Sequence, residues 1–240
     1  KHLPWECAMA KVTNNRIFSH IKTKVDEANL QLGSERGEAP DAEGTGRRFS
    51  HTMAIAPNAS SSIIMGNTSP SIEPYRANAY RQDTLSGAFL NKNKYLVELI
   101  DKKIEEGATK LDADEIWSSI IANDGSVQHL RWLQPEEKDV FKTAMEIDQR
   151  WIIEHAADRQ LYLDQSQSLN VFFRPDTNIV YLHTVHFLAW KKGVKTMYYC
   201  RSEKLGKADK VSKRIERQVI KEIDLTAVID DDGECLACEG

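Results

Sequence analysis

The sequence predicts an α/β protein in which short apolar strands run parallel and helices cover them. Three observations carry this. Helical periodicity recurs in several segments, short β-branched or aromatic runs separate them, and Gly, Pro, Ser and Asn fall at the joins. The chain has 240 residues, 41% hydrophobic and 28% charged, which suits one large core or two small ones.

Taken in order, a first helix is expected from Thr13 to Leu32. Its inner face would be Ile17, Ile21, Val25, Ala28 and Leu32, with Thr13 capping the start and Gly33 closing the end. Ser34 to Gly46 is polar and glycine-rich, so it reads as an exposed loop. Met53 to Ala56 is a short apolar run ending at Pro57 and reads as a buried strand. Helices follow at Tyr95 to Glu106 and Asp114 to Ala122. A longer one starts at Pro135, with Val140, Ala144, Ile147 and Trp151 on its inner face. Ser168 to Phe173 reads as a strand. Thr177 can cap a helix that ends near Lys191, Lys192 and Gly193, and Val194 to Cys200 then reads as a second buried strand. Past Arg201 the chain turns charged and then acidic, and its last dozen residues are expected to form a mobile tail.

A net charge of −4 gives no electrostatic reason to expect nucleic acid. Basic residues between Lys191 and Lys221 are interleaved with acids, as on a solvated surface. No run approaches the roughly 18 apolar residues of a membrane span, and no signal peptide opens the chain, so no membrane partner and a cytoplasmic location are expected. The four cysteines (Cys7, Cys200, Cys235 and Cys238) would then be thiols in a reducing compartment. His183 and His186, three apart on one helix, lack an evident acidic partner, so packing or surface roles are expected and no metal site is assigned.

Three motifs carry chemistry. In Pro57-Asn58-Ala59-Ser60-Ser61-Ser62, hydroxyls and backbone N–H groups gather where a strand turns, which can cradle an anion. On composition alone, an ordinary Ser-rich turn capping a helix is the stronger account. Tyr198-Tyr199 ends a predicted strand, where adjacent aromatics commonly just pack on opposite faces. Cys235-Leu236-Ala237-Cys238 lies two residues from the last residue. It lacks the second cysteine pair of a zinc site and the following helix of a thioredoxin-type site, leaving a dithiol exchange pair on a tail as the third reading.

Met53 to Arg76, MAIAPNASSSIIMGNTSPSIEPYR, resembles the phosphate-binding strand and loop of the class I ribonucleotide reductase large (alpha, catalytic) subunit, of bacterial or phage type. The shared pattern is Pro57 to Ser62, Asn67-Thr68 and Ile72-Glu73-Pro74. Gly193-Val194-Lys195-Thr196-Met197-Tyr198-Tyr199, after two lysines, is similar to that family's radical-relay motif, and the terminal cysteine pair matches its redox tail. The resemblance covers Gly46 to Gly240 and implies the C-terminal half of a ten-stranded α/β barrel.

It further implies that Pro57, Asn58, Ala59, Ser60 and Ser61 hold the diphosphate of a ribonucleoside diphosphate. Tyr198 and Tyr199 would relay a radical supplied by a metal-containing small (beta) subunit. Cys235 and Cys238 would re-reduce the active-site disulfide and be recharged by thioredoxin or glutaredoxin. A phenol suits the relay because it can lose an electron and a proton together, leaving no buried charge. Cys200 has no such role and reads as structural.

The family's substrate-activating cysteine has no match here, and Cys7 does not stand in its pattern. The chain alone is therefore expected to be inactive and to bind no cofactor itself. It would need an N-terminal portion of the large subunit, whether it is a fragment or one product of a split gene. The expected units are 1–46 (helix and polar loop), 47–203 (half barrel) and 204–240 (mobile redox tail). Two other classes compete: a non-catalytic interaction or metal-binding module, and a stand-alone thiol oxidoreductase using Cys235 and Cys238. Neither accounts for the turn and the tyrosine motif together.

Overall fold

The computed structural model describes residues 1–66, 68–69, 71–84 and 87–202; of Ala59, Ser60, Ile63, 81–84 and 87–89 it describes the backbone alone. Along the chain run α1 (Ala8–Arg36), α2 (Ala59–Ile64), β1 (Ala79–Thr84), β2 (Gly87–Lys92), α3 (Lys94–Glu105), α4 (Ala113–Ala122), α5 (Pro135–Val140), α6 (Gln149–Gln160), β3 (Val171–Phe173), α7 (Ile179–Lys191) and β4 (Cys200–Ser202). A single 3₁₀ turn, Pro40–Ala42, interrupts the loop after α1.

Helix α1 begins five residues earlier than Thr13, because the Cys7 sulfur accepts from the Ala10 N–H at 3.3 Å and caps the N-terminus. It also runs past Gly33, which is buried inside the helix. A Cβ built there would come within 2.0 Å of the Gly46 carbonyl oxygen, so Gly33 is a point of close backbone approach and Gly37 (φ +85°) ends the helix. The expected apolar inner face is also corrected: Ile17 and Ile21 are exposed. Polar groups face α6 and the segment just after it instead. Lys11 pairs with Glu154 at 2.6 Å and Asp158 at 3.6 Å, Asn14 donates to the His155 carbonyl at 3.0 Å, and Tyr162 donates to Asn15.

The helix expected from Pro135 is two helices. Between α5 and α6 the Thr143 N–H and hydroxyl are taken by Glu146, and the Ala144 N–H by the Tyr75 carbonyl at 2.8 Å. Asp148 then caps α6 through the Arg150 N–H. These competing acceptors break the i→i−4 ladder, while Ala144 and Ile147 remain buried as expected. The β1–β2 hairpin is antiparallel, Ala79 facing Lys92 and Thr84 facing Gly87, and departs from the all-parallel expectation.

Among the described residues, two apolar clusters form the interior. One joins Ile152, Ile153 and Ala156 of α6 with Leu169, Val171, Phe172 and Phe173, beneath Val185 and Ala189 of α7. The other joins Leu96 and Ile100 of α3, Ile116, Trp117 and Ile120 of α4, and Val127, Leu130, Leu133 and Phe141. The expected helix–strand alternation holds where the first cluster lies: β3 pairs with β4 in parallel, Val171 opposite Cys200, and Ile55 forms a parallel bridge to Gln167. Val194 to Cys200 is not a buried strand among the described residues. Regular strand begins only at Cys200, after backbone bonds from Tyr198 and Tyr199 to Leu169 and Val171, and Tyr198, Tyr199 and Cys200 are exposed.

Candidate functional site

One segment, 165–173, which ends in β3, organises the site. Successive backbone groups of a strand point to opposite edges. The Ser166 carbonyl and Ser168 N–H bond Ile55 on one edge, at 3.1 and 2.8 Å. The Leu169 carbonyl accepts from Tyr198 N–H at 2.7 Å, and the Val171 N–H donates to the Tyr199 carbonyl at 2.9 Å, on the other. The Ser-rich turn follows Ile55 directly, and the tyrosine pair precedes β4 directly. A single strand therefore carries both motifs, one on each side.

On the first side, α2 starts at Ala59, with the Asn58 carbonyl accepting from Ser62 N–H at 2.8 Å. The N–H groups of Ala59, Ser60 and Ser61 thus sit in a first helical turn, where helix geometry provides no intrahelical acceptor. Pro57, Asn58 and Ser61 are exposed, and Ser62 is buried. On the second side, the Tyr198 and Tyr199 rings lie 4.2 Å apart at 58°, rather than on opposite faces. They are 53% and 45% exposed, and the Arg201 guanidinium lies 4.7 Å from the centre of the Tyr199 ring. With Met197 they border a pocket of about 330 Å³ closed on its other wall by His186, Ala189 and Trp190 of α7.

The polar frame around this strand is buried and was largely missed in the sequence. Asp164 accepts from the Thr52 N–H and hydroxyl (2.8 and 2.6 Å) and pairs with Lys22 at 3.4 Å, while its carbonyl receives Lys195. Burial alone would raise the Asp164 carboxyl, but the Thr52 bonds and Lys22 outweigh it and hold it at about 2. Gln167 accepts from Arg159 Nε at 2.5 Å and donates to the Ala156 carbonyl and Gln160. Burial draws the Arg159 guanidinium down to about 10, against the opposing pull of Glu73 and Asp158. Glu73 accepts from the N–H and side-chain amide of Asn170, and Asn170 Oδ1 accepts from Tyr199 N–H at 3.2 Å. The only sequence signal for this frame was Glu73 within Ile72-Glu73-Pro74; isolated Asn, Gln and Arg residues show no periodicity that marks them as buried.

His186 Nδ1 bonds the Leu182 carbonyl at 2.8 Å and His183 stacks on Phe187. Among the described residues no three His, Cys, Asp or Glu side chains gather as a metal would require, and no described helix is long and apolar enough to cross a membrane. Cys235 and Cys238 lie outside the described residues.

Parallel strands under α6 and α7, with a Ser-rich turn on one edge and a tyrosine pair on the other, define a segment of an α/β barrel. Residues 38–200 match the family described as ribonucleotide reductase, barrel domain, and the chain belongs to that family. It is 56% identical to the ribonucleoside-diphosphate reductase large subunit of Invertebrate iridescent virus 6, over 88% of this chain and 22% of that one. With the large subunit of Invertebrate iridescent virus 3 identity is 49%, over 98% and 35%. The Actinobacillus ureae class Id ribonucleotide reductase alpha subunit superposes with a TM-score of 0.75 and 40% identity, covering 84% of this chain and 36% of that structure. The chain thus spans little more than a third, or less, of these relatives. The expected family and barrel fold are borne out.

Proposed function

We propose that this chain acts as the C-terminal portion of a ribonucleoside-diphosphate reductase large subunit, within a complex that converts ribonucleoside diphosphates to 2′-deoxyribonucleoside diphosphates. The observation that carries this reading is the strand 165–173, which bonds the segment leading into the Ser-rich turn on one edge and the tyrosine pair on the other. In this reading the backbone N–H groups of Ala59, Ser60 and Ser61, with Pro57 and Asn58 setting the turn, receive the substrate diphosphate. Tyr198 and Tyr199, in ring contact, relay a radical inward from a metal-containing small subunit: each phenol gives up an electron towards that subunit together with its proton, and regains both from the next group inward. Cys235 and Cys238 then reduce the disulfide left by turnover, becoming a disulfide that thioredoxin or glutaredoxin reduces in turn. Residues 1–46, 47–203 and 204–240 serve as packing helix and loop, half barrel and redox tail, and an N-terminal portion supplies the activating cysteine. The protein works in the cytoplasm.

The test is reduction of a ribonucleoside diphosphate by this chain mixed with an N-terminal large-subunit portion and a small subunit. Turnover only with all three, abolished in Tyr198→Phe while substrate still binds, is the expected result. Full turnover by Tyr198→Phe, or none from the complete mixture, would overturn it.

A further inference from the structure

We propose that Glu73 and Asn170 are positioning residues for the tyrosine pair: the Glu73 carboxylate fixes the Asn170 side chain, and Asn170 fixes the backbone of Tyr199. The inference rests on the relay role of Tyr198 and Tyr199 proposed above and assigns the device that sets their place.

Glu73 and Asn170 stand 97 residues apart, and both are buried, Glu73 at 1% exposure. The Asn170 N–H points to the edge of the strand that Ile55 occupies further back, where no backbone acceptor meets it among the described residues. One Glu73 oxygen takes that N–H, and the other accepts from Asn170 Nδ2 at 3.3 Å. A carboxylate accepts at both oxygens, so this amide can be oriented in one way only, with Nδ2 towards Glu73 and Oδ1 away from it. Oδ1 is then aimed across the strand at Tyr199 N–H. The Tyr199 carbonyl is held independently by Val171 N–H at 2.9 Å, and Tyr198 N–H by Leu169. Tyr199 is thereby clamped at both ends of its backbone unit. Its ring is 45% exposed and is held by Tyr198 at 4.2 Å and Arg201 at 4.7 Å alone among the ring contacts described, so backbone anchoring adds the constraint that those surface contacts lack. Electron transfer between side chains falls steeply with separation, and a loosened Tyr199 costs turnover rather than substrate binding. Arg159, also 1% exposed, supplies positive charge towards Glu73 and makes a buried carboxylate tolerable there.

The geometry allows a swap. Glu73→Gln puts an amide donor against the Asn170 donor, and Asn170→Asp puts two carboxylates together. With both substitutions present, the new amide nitrogen at position 73 donates to one oxygen of the new carboxylate at position 170. The amide oxygen at 73 still accepts from the backbone N–H of residue 170, and the second carboxylate oxygen still accepts from Tyr199 N–H. The experiment is a double-mutant cycle in a complete large subunit containing this segment, assayed with its small subunit and a ribonucleoside diphosphate. Each single variant is expected to lower kcat about tenfold with KM and nucleotide Kd unchanged, as for a buried donor left unpaired. The double variant is expected to recover to within about threefold of the parent. Single variants with parental kcat, a double variant no better than the product of the singles, or losses that track KM or the melting temperature would each overturn the proposal. Tyr199→Phe is run alongside. If it turns over normally, the relay reading fails and this inference with it; if it is inactive while Glu73→Gln is fully active, only the clamp fails.

Discussion

Gly33 shows how one contact reverses a propensity. In mid-helix, Gly→Ala ordinarily stabilises by up to about 1 kcal/mol. Here the new Cβ would meet the backbone oxygen of Gly46 at 2.0 Å, and backbone cannot swing aside as a side chain can. Gly33→Ala is therefore expected to destabilise by about 1–3 kcal/mol, as overpacking does, read as a lower melting temperature. A neutral or raised melting temperature would mean that the 38–48 loop yields freely. The same residue marks what a sequence leaves illegible. Gly33 followed by a polar stretch has the signature of a helix end, and only the tertiary approach of Gly46 distinguishes a stop from a contact. Pro57 to Ser61 and Tyr198-Tyr199 were legible because their motifs are contiguous; Glu73 and Asn170 meet only through folding.

Among the elements, α1 departs most from its sequence pattern. Its apolar residues suggested burial of Ile17 and Ile21, yet it docks on α6 through Lys11 and Asn14, and on the segment just after α6 through Asn15 and Lys22. Charge and hydrogen bonding, which carry no helical period in the sequence, chose its face. The docking should therefore depend on pH, in two windows. His155 is buried, its Nε2 bonds the Trp5 carbonyl at 2.8 Å, and burial lowers its pKa below 6.5 despite that bond and nearby Asp158, with Arg159 and Lys11 adding to the drop. The unfolded chain binds that proton first, so stability is complete above pH 6.5 and declines below it. Asp164 has its pKa depressed from 3.8 to about 2, so its share is complete above 3.8 and is lost as pH falls to about 2. Amide exchange of residues 8–36, corrected for intrinsic rate, should accelerate in both windows. His155→Gln should abolish the upper step and Asp164→Asn the lower; a profile flat from pH 7 to 5 would refute the His155 argument.

At the scale of the whole molecule, two apolar clusters share one chain, joined near Tyr75, Asn78 and Phe141, where Ala144 N–H meets the Tyr75 carbonyl and Asn78 bonds the Phe141 carbonyl at 2.8 Å. Ile152 and Ile116 are fully buried, one in each. Truncating either to Ala should cost about 2–5 kcal/mol, and the two costs should add within about 0.5 kcal/mol because the sites share no neighbours. Denaturant unfolding of both single variants and the double variant checks this; strong non-additivity would mean that the clusters behave as one. The helix–strand alternation was readable in the sequence, since α3, α4, α7 and β3 fall within a few residues of expectation. The hairpin was not, because its residues 79–92 mix polar and small side chains without clean alternation.

Between Ser166 and Phe172 the central strand also obeys a rule of parity. The backbone groups of Ser166, Ser168, Asn170 and Phe172 answer to Ile55, Glu73 and Gln149, and those of Leu169 and Val171 to Tyr198 and Tyr199. Inserting or deleting one residue between Ser168 and Val171 would exchange the two audiences, handing the tyrosines' bonding positions to Glu73 and the reverse. A change of two residues would keep each group on its own side and merely slide one set along. Divergence in this segment is therefore constrained twice, in its side chains by burial and in its length by parity, and a length change is tolerated best in steps of two.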